Sequence, residues 1–65
     1  MENQFVFDFQ KLLKATEVAV ILNISRAMSY RLLENGEIPS VRIYKAVRVK
    51  PNDLFEYIQR QTINQ

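Results

Sequence analysis

Only three residues offer this chain a strong backbone interruption: Gly36, Pro39 and Pro51 are its one glycine and two prolines. Proline fixes φ and removes a backbone donor, and glycine supplies the left-handed turns that other residues avoid. Regular elements therefore begin and end at these points. They divide the 65 residues into a helical region up to about Gly36, a strand-like region between the prolines, and a helix after Pro51. No linker, repeat or low-complexity segment intervenes. The length allows one domain with one small core, and a chain this short buries only about 60% of its unfolded surface. It has neither cysteine nor histidine to staple that core. Disulfides, thiolate chemistry, zinc fingers and serine–histidine catalysis are thereby excluded, and no metal or other cofactor is expected. No apolar run approaches the roughly 20 residues of a membrane helix. Met1, Glu2 and Asn3 are not the basic start of a signal peptide. The lack of cysteine fits a reducing compartment, so the expected location is the cytoplasm.

From Ala15 to Leu22 the helical period gathers Ala15, Val18, Ala19 and Leu22 on one face, with Thr16 and Glu17 opposite. Asn23 tolerates the left-handed conformation that ends a helix, and Ile24 can turn inward after it. Ser25 is a good N-cap for a second helix, which runs to about Asn35 with Gly36 as its C′ residue. The wheel of this second helix places Ser29 and Leu32 inside, Met28 and Leu33 on the flanks, and Arg26, Ala27, Tyr30, Arg31 and Glu34 outside. Ser29 occupies an inner position where an aliphatic side chain would pack better.

After Pro39, Val41-Arg42-Ile43 and Val47-Arg48-Val49 alternate with the period of two that marks strands. A three-residue loop of Tyr44, Lys45 and Ala46 would pair Val41 with Val49, Ile43 with Val47 and Arg42 with Arg48, with all four aliphatic residues on one side. A two-residue loop would set Val41 against Arg48 and mix the faces, so the three-residue register is expected. It would place two arginines directly opposite each other, a repulsion that a bound phosphate would reverse. Pro51 and Asn52 then open a last helix, whose inner face is expected to comprise Leu54, Phe55, Tyr57, Ile58 and Gln61. At the other end Phe5, Phe7 and Phe9 alternate with Val6 and Asp8. This segment reads either as an extra N-terminal strand beside the hairpin or as an arm that binds a partner. The expected organisation is a strand-like segment over 1–10, the domain proper over 11–61 and a flexible tail over 62–65.

The net charge of +2 is unevenly spread. Lys11 and Lys14 against Glu2, Asp8 and Glu17 leave residues 1–24 at −1. Arg26, Arg31, Arg42, Lys45, Arg48 and Lys50 against Glu34 and Glu37 bring residues 25–50 to +4. Arg60 against Asp53 and Glu56 returns residues 51–65 to −1. A localised basic stripe is the electrostatic footprint of a polyanion partner, although small basic faces also occur as plain solvated surface.

Two short helices joined by a tight turn, the second capped and basic outside, describe a helix-turn-helix. The small Ala19 lets the helices approach, and Asn23 takes the turn four residues later. The order Leu12-Leu13, Glu17-Val18-Ala19, Leu22-Asn23-Ile24-Ser25-Arg26 and Tyr30-Arg31-Leu32-Leu33-Glu34-Asn35-Gly36-Glu37-Ile38-Pro39, followed by Val41-Arg42-Ile43, Arg48-Val49, Asp53-Leu54 and Tyr57-Ile58, resembles the excisionase-type, mercury-regulator-like winged helix-turn-helix family. The resemblance implies a mainly α domain with a small β-hairpin, in which the second helix enters the major groove of DNA and the hairpin forms a wing on the neighbouring backbone or minor groove. Carried over by position, the reading helix offers Ser25, Arg26, Ala27, Tyr30 and Arg31, and the wing offers Arg42, Lys45 and Arg48. Lys14 stands where the family usually caps the first helix with threonine, serine or aspartate, which weakens the cap by about 1 kcal/mol, though from there Lys14 could reach a phosphate. Tyr44 stands where the wing usually begins with glycine, and Met28 and Ser29 replace a threonine–aliphatic pair.

By chemistry, Arg26 and Arg31 suit bidentate contact with guanine or contact with phosphate alone. Tyr30 suits a thymine methyl or a phosphate, or packs on the wing. Arg42, Lys45 and Arg48 suit phosphate, which gives affinity without sequence information. The leading expectation is a sequence-specific double-stranded DNA-binding protein. It would act as an excisionase (a recombination directionality factor) that bends attachment-site DNA in DNA recombination, with a tyrosine integrase or further copies of itself as partners. A small regulator of transcription at an operator is the alternative, and a protein–protein interaction module the second. Ligand-sensing relatives carry a long dimerisation helix and an effector domain beyond this region, so no small-molecule effector is expected. No paired carboxylates suggest an enzyme.

Overall fold

The computed structural model describes residues 11–63. The expected strand at Phe5–Phe9 lies outside the described residues. The order of elements is β1 (Leu13–Lys14), α1 (Ala15–Leu22), α2 (Arg26–Glu34), β2 (Val41–Ile43), β3 (Ala46–Val49) and α3 (Pro51–Gln61). Three helices surround a small antiparallel sheet in the order β1-β3-β2, which is a mainly α, winged helix-turn-helix architecture.

The helix boundaries follow from local chemistry. Lys14 stands at the N-cap of α1 and has no side-chain acceptor to offer. Glu17 supplies the other half of a capping box, its Oε1 accepting the Lys14 N–H at 2.8 Å. That bond, helped by the Lys11 ammonium and opposed by partial desolvation, holds the Glu17 carboxyl below the usual carboxylate range. The helix ends at Asn23, left-handed at φ 59° and ψ 48°, so that the Ile24 N–H reaches the Ala19 carbonyl at 2.9 Å. Ser25 then caps α2, its Oγ accepting the Met28 N–H at 3.0 Å. Gly36, at φ 77°, closes α2: its N–H bonds Leu33 O at 3.1 Å and the Glu37 N–H bonds Leu32 O at 3.0 Å. Pro51 takes the first turn of α3, with Lys50 as N-cap.

The core consists of Ala15, Val18, Leu33, Ile38, Val49 and Leu54, with Leu13, Leu22, Leu32, Val47 and Tyr57 packed against it. Three details differ from the sequence expectations. On α2 it is Leu33 that is buried and Leu32 that is half-buried. The helix meets the sheet and Ile38 through Leu33, and its Leu32 flank opens towards a groove shared with Ile24, Met28, Tyr57 and Ile58. On α3 the core takes Leu54 and part of Tyr57, whereas Phe55, Ile58 and Gln61 are exposed. A domain this small has too little interior to cover a five-residue face.

Ser29 is the third. It is fully buried, and its hydroxyl donates to the Ala15 carbonyl at 2.8 Å. This bond ties the middle of α2 to the start of α1. An aliphatic side chain there would forfeit it, so the serine suits the position.

The hairpin register also departs from expectation. Val41 pairs with Arg48, Arg42 with Val47 and Ile43 with Ala46, across a two-residue loop of Tyr44 and Lys45. In an antiparallel pair, opposed residues share a face, so Arg42 and Arg48 lie on opposite faces and do not oppose each other. The physical reason is the third strand. β1 sets Leu13 opposite Val49 and Lys14 opposite Arg48, so the core face needs only Val47, Val49 and Leu13. Val41 and Ile43 go to the other face, where Val41 lies against half-buried Arg48 and Ile43 against Ala46. The loop takes its tight turn through Tyr44 at φ 57°, the positive φ that two-residue hairpin loops require.

Candidate nucleic-acid interface

The outer face of α2 carries every residue expected there. Ser25, Arg26, Ala27, Tyr30 and Arg31 are all exposed, Tyr30 by 50%. They are exposed because the opposite side of this nine-residue helix is taken by Ser29 and Leu33. Positions 26, 27, 30, 31 and 34 recur at the helical spacing that keeps one stripe in solvent.

The wing contributes from two directions. Arg42, opposite Val47, lies on the sheet face that looks towards α2. Together with Tyr30, Leu33, Glu34, Ser40 and Val47 it lines a cleft of about 160 Å³ between α2 and the hairpin. Lys45 is exposed in the loop tip beside Tyr44, which is 89% exposed. Arg48 lies on the other face of the sheet, half-buried, its Nη1 donating to the Val47 carbonyl at 2.9 Å. The fold thus brings Arg42 beside the stripe of α2 and sets Arg48 beside Lys14.

Among the described residues none of Arg26, Arg31, Arg42, Lys45 and Arg48 has a carboxylate within 4.0 Å, the ion pair there being Lys11 with Glu17 at 3.4 Å. Glu34 lines the cleft beside Arg42 and Tyr30 without pairing to an arginine. Arg60, by contrast, is engaged, donating to the Glu37 carbonyl at 3.2 Å with its guanidinium 5.9 Å from the centre of the Tyr57 ring. The α2 stripe and the wing thus hold five cations without a carboxylate partner among the described residues. Among the described residues no helix is long and apolar enough to cross a membrane, and no three potential metal-binding carboxylates gather.

Sequence reasoning did not single out Ser40 or the pairing of Lys14 with Arg48. The first follows a proline in irregular backbone and carries no periodic signal. The second depends on a strand of two residues, too short to alternate.

The sequence model of a helix-turn-helix domain family matches residues 12–62. A protein of Mycobacterium tuberculosis strain CDC 1551 / Oshkosh, named "Putative DNA-binding protein", is 35% identical over 49 residues. Its counterpart in strain ATCC 25618 / H37Rv, of the same name, is equally similar. The aligned part is 75% of this chain and 63% of each relative, so the chain spans less than two thirds of their length. No solved structure matches.

Proposed function

The chain belongs to the excisionase-type helix-turn-helix family, and from that premise we propose that it binds double-stranded DNA through α2 and the wing. One observation carries the reading: Tyr30, in the exposed stripe that also holds Arg26, Ala27 and Arg31, lines a narrow cleft with Arg42, and no carboxylate is paired to any of these arginines among the described residues. A helix about 12 Å wide fits the major groove, which is about as wide. With the N-terminal turn of α2 in that groove, Arg26 and Arg31 offer planar guanidinium forks to guanine O6 and N7, and Tyr30 offers its ring to a thymine methyl. The amides of the first turn beside Ser25 and Ala27 favour a phosphate at the helix N-terminus. Arg42, Lys45 and Arg48 neutralise backbone phosphates, which gives affinity without sequence information.

Within DNA binding, a role as an excisionase is the first proposal. In it the protein bends attachment-site DNA and works with a tyrosine integrase and with further copies of itself. A wing and a helix that grip DNA at two places suit bending, because a bend lets both engage fully. Regulation of transcription at an operator is the second reading. DNA bending measured by circular permutation, with cooperative loading on direct repeats, separates the two: bending with cooperativity supports excision, and a single unbent operator complex supports regulation. The residues assigned to DNA are arginines, a lysine, a tyrosine, a serine and an alanine, which suit contacts with bases and phosphates, and binding is the mode of action proposed. Its place of action is wherever the DNA is, which for a bacterial nucleoid is the cytoplasm.

A further inference from the structure

The register places two cations where the sequence suggested a different two. Lys14 of β1 and Arg48 of β3 are directly opposed partners on one face of the sheet, a spacing of about 5 Å between Cβ atoms at which like charges repel. Among the described residues no carboxylate lies within 4.0 Å of the Lys14 ammonium or the Arg48 guanidinium. Nearby Glu17 is already engaged, with Lys11 through one oxygen and with the Lys14 backbone N–H through the other. Arg48 is held in place by its bond to the Val47 carbonyl, which leaves most of its donors free. Lys14 is also the N-cap of α1, where Glu17 accepts its backbone N–H and offsets the helix dipole, so the dipole takes no part in the site. Two directly opposed cations are a costly arrangement alone and a favourable one around an anion.

We infer that one backbone phosphate of bound DNA is held between Lys14 and Arg48. The inference rests on the DNA-binding reading above and adds Lys14 to it. Arg42, on the opposite face of the sheet, addresses a different phosphate.

The test is a methylphosphonate scan of a bound duplex, in which one phosphate at a time is made neutral and affinity is measured for the full chain and for Lys14→Gln, Arg48→Gln and Arg42→Gln. The wild type loses affinity at several positions. The expected result is that Lys14→Gln and Arg48→Gln both become insensitive at the same position, Arg42→Gln at another, and that Lys14→Arg restores the sensitivity. Each Gln variant also lowers the salt slope by about one, while thermal unfolding of the free Lys14→Gln protein is unchanged or shifted upward, since a repulsion is relieved. Loss of sensitivity at two separate positions for Lys14→Gln and Arg48→Gln, or no change in affinity for Lys14→Gln, overturns the inference while DNA binding stands. A wild type that binds no duplex overturns the underlying reading instead.

Discussion

Replacing Ser29 by alanine tests how α1 and α2 are held together. The hydroxyl is fully buried and donates to the Ala15 carbonyl at 2.8 Å. A buried hydrogen bond of this kind contributes about 1 kcal/mol net. The acceptor sits in the first turn of α1, where helical geometry also gives it the amide four residues on, so the substitution leaves no orphaned carbonyl and avoids the larger desolvation cost. Alanine returns up to about 0.5 kcal/mol through its better helix propensity. The net loss is therefore about 0.5–1 kcal/mol, and at roughly 4–8 °C per kcal/mol for a domain of this size the midpoint falls by several degrees. Ser29→Val loses the same bond and puts two methyl groups where one hydroxyl sat, in a site with no free surface, which adds about 1–3 kcal/mol of overpacking. Thermal and urea unfolding followed by circular dichroism read both variants, provided the urea slope is unchanged. The order wild type, Ser29→Ala, Ser29→Val is expected. A Ser29→Val protein as stable as the wild type would mean that the site wants an aliphatic residue, and would refute the hydrogen-bond account.

The other predictions are brief. Tyr44 holds φ 57° while 89% exposed, so Tyr44→Gly should raise the stability of the free protein by about 1 kcal/mol, read by the same unfolding curves; a loss would mean that the ring packs. Ile38 has no exposed surface, and Ile38→Val should cost about 0.5–1.5 kcal/mol. The Glu17 carboxyl is lowered from an ordinary value near 4.5, first by the Lys14 N–H. Its contribution to stability is therefore present above that ordinary value and lost as the pH falls through the lowered one. Glu17→Gln should flatten the acid limb of the stability curve, and an unchanged limb counts against the bond. On DNA, Arg26→Ala should relax sequence preference by about 1–3 kcal/mol at one base pair, whereas Arg42→Ala should weaken binding to all sequences alike; equal behaviour of the two in a competition assay would remove the distinction between helix and wing.

Much of the fold is legible residue by residue where local chemistry decides. Ser25, Asn23, Gly36 and Pro51 each have a preferred place at a helix end, and each occupies it. The exposed stripe of α2 is legible for the same reason, since helical spacing alone separates Arg26, Tyr30 and Arg31 from Ser29 and Leu33. What sequence reasoning misplaces depends on partners distant along the chain. Read from the sequence alone, the hairpin gathers its four aliphatic residues on one side, because a two-stranded unit has one apolar face to bury. A third strand, two residues long, changes that requirement: Val49 is covered from the β1 side by Leu13, and Val41 and Ile43 are released to the other face. Arg48 turns with them, from a place opposite Arg42 to one opposite Lys14. Ser29 shows the same limit, because the carbonyl that makes it fit lies fourteen residues away and leaves no trace in the period of α2.

The salt dependence of duplex binding, measured by fluorescence anisotropy of a labelled duplex from low to moderate ionic strength, tests the central claim most directly. If the α2 stripe and the wing together contact four to six phosphates, the logarithm of affinity falls against the logarithm of salt with a slope of about −4 to −5. An affinity that does not respond to salt, or no binding to any duplex at low salt, would contradict the account.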